Sequence, residues 1–237
     1  MGGRGSELGS GMAEYAIILV LVLGVAAAAV TALGQGQAST LAAAGGIAQL
    51  GGDIASFIDD FESWVNGHGP HDWQYFWGNW FVNDEGTLAS NAQWAKAILD
   101  VGVADFDYTV DLKTDEIAGQ DIWDVTRVVF RWQDTRNYYA LVPKTDGVLE
   151  LAKMQNGRWV PWLAAANVGV DPTQWNTYRV SVVGNSVRVY FNGQLVINYF
   201  DVNPILGTGV GVTNDQSWGQ IDNVVVQPTP PSSPAQS

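Results

Sequence analysis

The chain contains no cysteine, so disulfides, thiolate nucleophiles and cysteine-ligated metals are excluded. Histidine is nearly as scarce: only His68 and His71 occur, both in the glycine-proline loop Asn66–Trp73. Two imidazoles in one loop hold a metal only with outside ligands, so they read as solvent-facing polar groups. Basic residues are also few, eleven Lys and Arg against 24 Asp and Glu, for a net charge of −13. No Lys/Arg cluster occurs, and without one the phosphates of a nucleic acid go unneutralised. Nucleic acid is excluded as a partner. There is no phosphate-cradling loop either, since Gly207, Gly209 and Gly211 sit in a strand context with no following helix or lysine. An acidic exterior suits a soluble surface that repels its neighbours.

What the chain does have is one long apolar run. Tyr15–Leu33 is 19 residues with almost no polar interruption, roughly 28 Å as a helix and enough to cross a bilayer core. Glu14 stands at its front edge, where a carboxylate in lipid requires a partner. Gly9 lies just upstream of Ser10-Gly11-Met12-Ala13-Glu14-Tyr15. This pattern resembles the type IVb pilins of the Flp/Tad class, whose short leader is cut after glycine and whose Glu-Tyr precedes a hydrophobic helix. The resemblance covers about forty N-terminal residues. It implies a leader over 1–9, cleavage between Gly9 and Ser10, and assembly through Glu14 and Tyr15. The new ammonium on Ser10 could be neutralised by the Glu14 of a neighbouring subunit, fixing axial register. One departure is that the leader has Arg4 as its only basic side chain and carries Glu7. Two alternatives stay open, a plain single-span anchor and a cleaved signal peptide, although the run is long for the latter.

The helix is expected to span 10–50. Thr31–Gln49 is rich in alanine, which lets helices approach closely, and its glycines weaken the helix unless packing supports it. A linker is expected over 51–56. Beyond Asp53 the composition changes: all eleven tryptophans and all nine prolines lie there. Strand-like segments recur at Trp80–Val82, Phe106–Leu112, Thr126–Gln133, Tyr138–Val142, Leu149–Met154, Tyr178–Val183, Ser186–Phe191, Gln194–Tyr199, Gly209–Thr213 and Asn223–Val226. Turn signals separate them: Asp146-Gly147, Asn156-Gly157, Gly184-Asn185 and Asn192-Gly193. The fold class is therefore an N-terminal hydrophobic α-helix followed by an all-β jelly-roll sandwich over 57–227. The last ten residues, 228–237, are rich in proline and serine and read as a disordered tail.

Three blocks carry a second resemblance. FRWQDTRNYY begins at Phe130, VRVYFNGQL at Val187, and GTGVGV is followed by DNVVV at Asp222. Together they look like the concanavalin A-like lectin/glucanase superfamily in its laminin-G-like branch. Glucanases of that superfamily carry a Glu-x-Asp-x-x-Glu strand, which places acid and nucleophile roughly 5 Å apart. This chain has no such strand: Asp105, Asp107 and Asp111 come nearest and lack the glutamate partner. The chain is accordingly expected not to be an enzyme.

Glycan binding fits better. If Val128, Phe130 and Trp132 face the core, Arg131 and Gln133 point outward and meet Asn137 and Tyr139 on the next strand. Planar polar groups beside a ring suit a sugar. The alternative is that Arg131 pairs with an acidic neighbour and Tyr139 packs in the core. Trp73, Trp77 and Trp80 crowd one short region, where at least one is expected to be exposed. The superfamily resemblance also implies a calcium site made by Asp60, Glu62 and Asp222, since calcium takes about six to eight oxygens. Against it, Asp59 and Asp60 could be a solvated domain start and Asp222 a turn cap. The expected protein is a pilus subunit that polymerises with itself through its helix and displays a jelly-roll head for surface glycans or adhesion. Its partners would be prepilin peptidase and the assembly machinery. It would reside in the membrane as a precursor and in an extracellular filament afterwards. A membrane-anchored carbohydrate-binding protein that never polymerises is the alternative.

Overall fold

The computed structural model describes residues 56–62 and 72–229. The expected leader and helix lie outside the described residues, with Gly9, Ser10, Glu14 and Tyr15, as do His68, His71 and the tail from residue 230. Among the described residues no helix is long and apolar enough to cross a membrane.

Those residues form fifteen strands: β1 (Phe57–Asp59), β2 (Trp73–Phe76), β3 (Trp80–Val82), β4 (Leu88–Ser90), β5 (Trp94–Asp100), β6 (Phe106–Ile117), β7 (Arg127–Asp134), β8 (Asn137–Pro143), β9 (Val148–Gln155), β10 (Arg158–Asn167), β11 (Asn176–Val183), β12 (Ser186–Phe191), β13 (Gln194–Phe200), β14 (Gly209–Asp215) and β15 (Ser217–Pro228). They build two antiparallel sheets. One runs β13-β12-β11-β6-β15-β4-β3, with β1 also paired to β15; the other runs β10-β9-β8-β7-β14-β5-β2. This is the all-β, jelly-roll-like sandwich that the strand pattern predicts. All ten expected segments coincide with strands. The hairpin signals act as read: Asn156-Gly157 and Asn192-Gly193 take positive φ at both residues, the geometry that lets a two-residue turn follow strand twist.

The five unexpected strands carry weak local signals. β1, β2 and β4 are three or four residues long. β5 reads WAKAILD and β10 RWVPWLAAAN, where alanines, a lysine and a proline replace the β-branched residues that mark a strand.

The two sheets bury their residues differently. β6 alternates buried and part-exposed positions over nine residues, as expected of a sheet with one face in solvent. Its Phe106, Tyr108, Val110 and Leu112 meet Val128, Phe130, Leu141 and Leu151 of the opposite sheet in one apolar core. Strands β5, β7, β8 and β9 are instead buried at almost every position. Their outward side chains form a second apolar cluster of Ile98, Val129, Trp132, Tyr138 and Ala140, outside the main core. An antiparallel sheet covered on both faces has something lying over its outer side.

The alternation expected for β7 fails at one residue. Gly209 pairs with Trp132 while Val210 pairs with Phe130, leaving Arg131 as an extra residue in a bulge. Arg131 has φ +47, a left-handed conformation that favours glycine. Val128 and Phe130 face the core as expected, but the bulge moves Trp132 to the outer face and turns Arg131 inward.

Candidate functional site

The four residues expected to bind a ligand do not share one surface. Arg131 is fully buried and clamps the sheets together: its Nε donates to the Ala104 carbonyl at 2.9 Å, Nη1 to the Gly184 carbonyl at 2.7 Å and Nη2 to Asp105 Oδ1 at 2.8 Å. Tyr139 is also buried, stacked on Phe130 with ring centroids 5.1 Å apart. Its hydroxyl donates to Asp201 at 2.6 Å, and Lys153 Nζ donates to the same carboxylate at 2.7 Å. Burial opposes the Asp201 charge, but the Lys153, Tyr139 and Asn203 donors outweigh it and hold that carboxyl below the usual range. Asn137 closes the β7–β8 turn, its amide bonded to Asp134 and its carbonyl accepting from the Asn156 N–H at 2.9 Å. Only Gln133 is exposed, in a pocket of about 430 Å³ with Gln74, Trp132 and Thr208. The alternative for Arg131 and Tyr139, an acidic partner and core packing, is what these contacts describe.

Asp60, Glu62 and Asp222 come near one another without forming a metal cage. Burial raises the Asp222 carboxyl above its ordinary value, and Asp111, Asp60 and Glu62 add to that rise. Among the described residues, however, no group of three or more carboxylates or imidazoles is placed to hold a metal ion. The calcium site that the superfamily resemblance implies is therefore not assembled by these three side chains among the described residues.

The cover over the seven-stranded sheet is aromatic. Two adjoining pockets of about 460 and 380 Å³ share Trp123, Arg127 and Trp159 as a common wall. Trp77, Trp94 and Trp123 line the first and Trp162 the second, and all four are 46–61% exposed. Of the crowded trio, Trp77 is the exposed member, with Trp73 and Trp80 in the core. The backbone presents these rings deliberately. Trp77 and Gly78 both have positive φ, and a Cβ on Gly78 would come within 2.4 Å of the Ala95 side chain, so only glycine allows this turn to sit against β5. Trp162 stands in an irregularity of β10 at φ +58, and its N–H is held by Glu150 Oε1 at 2.8 Å.

Beneath the rings lies a charged floor. Phe76 pairs with Lys96, and Thr213 pairs with both Lys96 and Arg127, so these residues form one row across β2, β5, β14 and β7. Arg127 is bonded to Asp215 and donates to the Trp123 carbonyl at 2.7 Å, with its guanidinium 5.4 Å from the Trp159 ring. Burial lowers the Arg127 pKa and raises that of Asp215. Lys96 Nζ lies 4.2 Å from the Tyr138 ring centre, 4.3 Å from Trp132 and 5.5 Å from Trp77. Burial and the nearby Arg127 push its amine down to about 7, while Asp215 pulls it back up. In the second pocket Lys144 pairs with Glu150, both 3% exposed, and lies 3.6 Å from the Trp162 ring centre.

Sequence reasoning missed this site. A lysine between apolar neighbours in Ala95-Lys96-Ala97-Ile98 was the available signal, together with the tryptophan density around Trp123 and Trp159–Trp162.

Solved structures share the sandwich fold. The carbohydrate-binding module CBM66 from Bacillus subtilis aligns with a TM-score of 0.51 at 17% identity, over 65% of this chain and 93% of that one. The exoplasmic domain of VIP36, in a calcium- and mannobiose-bound form, gives 0.53 at 10% identity over 76% and 90%. A chain from a study of endo-acting O-glycanases of human gut microbiota gives 0.53 at 11% over 75% and 99%. No curated protein matches the chain. A family match covers residues 59–221, more than half of the sequence. On that match, the chain belongs to the 3-keto-alpha-glucoside-1,2-lyase-like domain family.

Proposed function

We propose that the β domain is a glycan-binding module that uses the tryptophan-walled groove on its seven-stranded sheet. The observation that carries this reading is the group of exposed rings Trp77, Trp94, Trp123 and Trp162 along two joined pockets with a polar floor. An exposed indole is unfavourable in water and stacks well on the apolar face of a pyranose, while buried charges reach its hydroxyls. The jelly-roll likeness to carbohydrate-binding proteins is consistent with this and establishes only the fold. In a glycan screen with the full-length chain, Trp123→Ala and Trp162→Ala should each weaken binding about tenfold or more, stacking being typically 1–3 kcal/mol for an aromatic platform. Unchanged binding in both variants would remove the groove from the proposal. A second reading, cleavage of a 3-keto-glucoside, draws on the family match. The expected result is binding without product; turnover would replace the lectin reading by a lyase.

The module is carried, in this reading, by a pilin-type N-terminus that polymerises into an extracellular filament after a membrane-bound precursor stage. What supports this is the sequence from Gly9 to Leu33. If each Glu14 meets the Ser10 amine of a neighbour, Glu14→Gln should leave the chain in the membrane and sharply reduce polymer. A single buried charge left uncompensated costs about 3–5 kcal/mol. Wild-type polymer yield would reduce Glu14 to a bystander, and retention of residues 1–9 on the mature protein would favour the plain anchor.

A further inference from the structure

The groove floor holds a cation with no carboxylate bonded to it, since Asp215, which acts on it, is engaged with Arg127. Lys96 is 4% exposed, and among the described residues it makes no ion pair and no side-chain hydrogen bond. Its surroundings are the faces of Trp132, Tyr138 and Trp77, which attract an ammonium but accept no conventional hydrogen bond. Arg127 does have a carboxylate, Asp215, yet its Nε is buried with no acceptor. Arg127 Nε is thus a buried donor left unsatisfied, which is costly, and Lys96 Nζ has ring faces beside it but no bonded carboxylate.

Their placement makes them one device. Lys96 and Arg127 both pair with Thr213, on strands either side of β14, so their backbones are roughly 10 Å apart. Long side chains from those positions can converge on a single group between them. The remaining charges do not fill the role. Asp215 is engaged with Arg127, Glu150 with Lys144, and Asp124 turns its carboxylate to the Asp121 N–H at 2.9 Å and lines neither pocket. Across both pockets three cations face two carboxylates. This local excess stands inside a chain of net charge −13. A long polyanion would be repelled by the exterior, whereas one isolated acidic group meets an ammonium with no bonded carboxylate beside the Arg127 guanidinium.

We propose, building on the glycan reading, that the groove selects oligosaccharides bearing a single acidic group, a carboxylate or a sulfate, which Lys96 and Arg127 hold together. The rings grip the sugar while the row beneath them reads its charge. Proton binding at Lys96 then tunes the site. The charged and titratable groups facing it are Arg127, Asp215 and Tyr138, and its amine titrates near 7. Raising the pH above this value removes the ammonium and weakens acidic ligands more than neutral ones.

The test measures binding of the full-length chain to three oligosaccharides on one backbone: neutral, uronate-bearing and sulfated. At least one acidic form should bind about tenfold or more tighter than the neutral form, the scale of one charge-assisted hydrogen bond, and this preference should shrink with salt. The uronate and sulfate arms decide which anion fits. Lys96→Met should erase the preference by bringing the affinity for the acidic forms down to that for the neutral one, and Lys96→Arg should restore part of it. Equal affinity for neutral and acidic forms, or a preference that survives Lys96→Met, overturns this proposal alone. No binding in any arm overturns the glycan reading and this one with it.

Discussion

Replacing Arg131 by alanine should destabilise the β domain by about 3–5 kcal/mol, the loss typical when one member of a buried charged network is removed. The guanidinium reaches three groups in three directions, two of them backbone carbonyls that would have no replacement donor. Asp105 Oδ1 also accepts the Gly184 N–H at 2.9 Å, so the carboxylate would remain tied to the turn but lose its cation. Ala104 and Asp105 lead into β6, and Gly184 turns β11 into β12, so the clamp joins β7 of one sheet to the rim of the other. Lysine, a point charge without the planar fork, should recover only part of the loss. Urea unfolding measures this directly. A variant within about 1 kcal/mol of wild type would mean that the clamp is incidental to stability.

Replacing Lys96 by methionine should act in the opposite direction and stabilise the domain, by roughly 1–3 kcal/mol near neutral pH. The native state holds the Lys96 proton with a pKa of about 7 against an ordinary 10.5, so folding disfavours the ammonium. The ring faces return part of that cost. Methionine keeps the length and gives the rings a polarizable sulfur instead. The sign in pH follows from linkage. A lysine depressed on folding carries its full penalty below the folded pKa, and the penalty is relieved as pH rises toward the unfolded one. Between about 7 and 10.5 the unfolded chain binds more protons, so this group makes wild-type stability rise with pH. Lys96→Met should lack that component. A lower melting temperature for the variant, or the same pH slope in both proteins, would show that Lys96 is a structural group. A gain in stability together with lost acidic-ligand preference is the pattern of a residue kept for binding.

The architecture was legible wherever β-branched runs and Asn-Gly or Asp-Gly turns coincide, as in β11, β12 and β13. It was not legible where burial on two faces replaced alternation. β5 shows no strand pattern because rings such as Trp132 cover its outer face, whereas β10 is a half-exposed edge strand whose own Trp159 and Trp162 face the groove. The expected ligand residues failed for a related reason. A period of two assigns faces correctly only until a bulge, and no local signal announced that Arg131 would adopt a left-handed φ. One residue of slip exchanged Trp132 for Arg131 and put the Trp132 ring on the outer face beside Lys96.

The position of β15 sets a timetable for the whole domain. That strand pairs with β1, β4 and β6, and its register with β6 brings Val226 beside Tyr108 and Ile221 beside Leu112. It is also the last of the strands to be synthesised. Until the residues up to Pro228 are available, the eight-stranded sheet therefore stays in two parts, β13-β12-β11-β6 and β4-β3, each with an open edge. Contacts this far apart in sequence form slowly, because the loop must close before the pairing stabilises it. A nascent chain halted before Ser217 would expose β6 and β4 as unpaired edges, which makes emergence of β15, rather than of the first strands, the moment at which this domain can close.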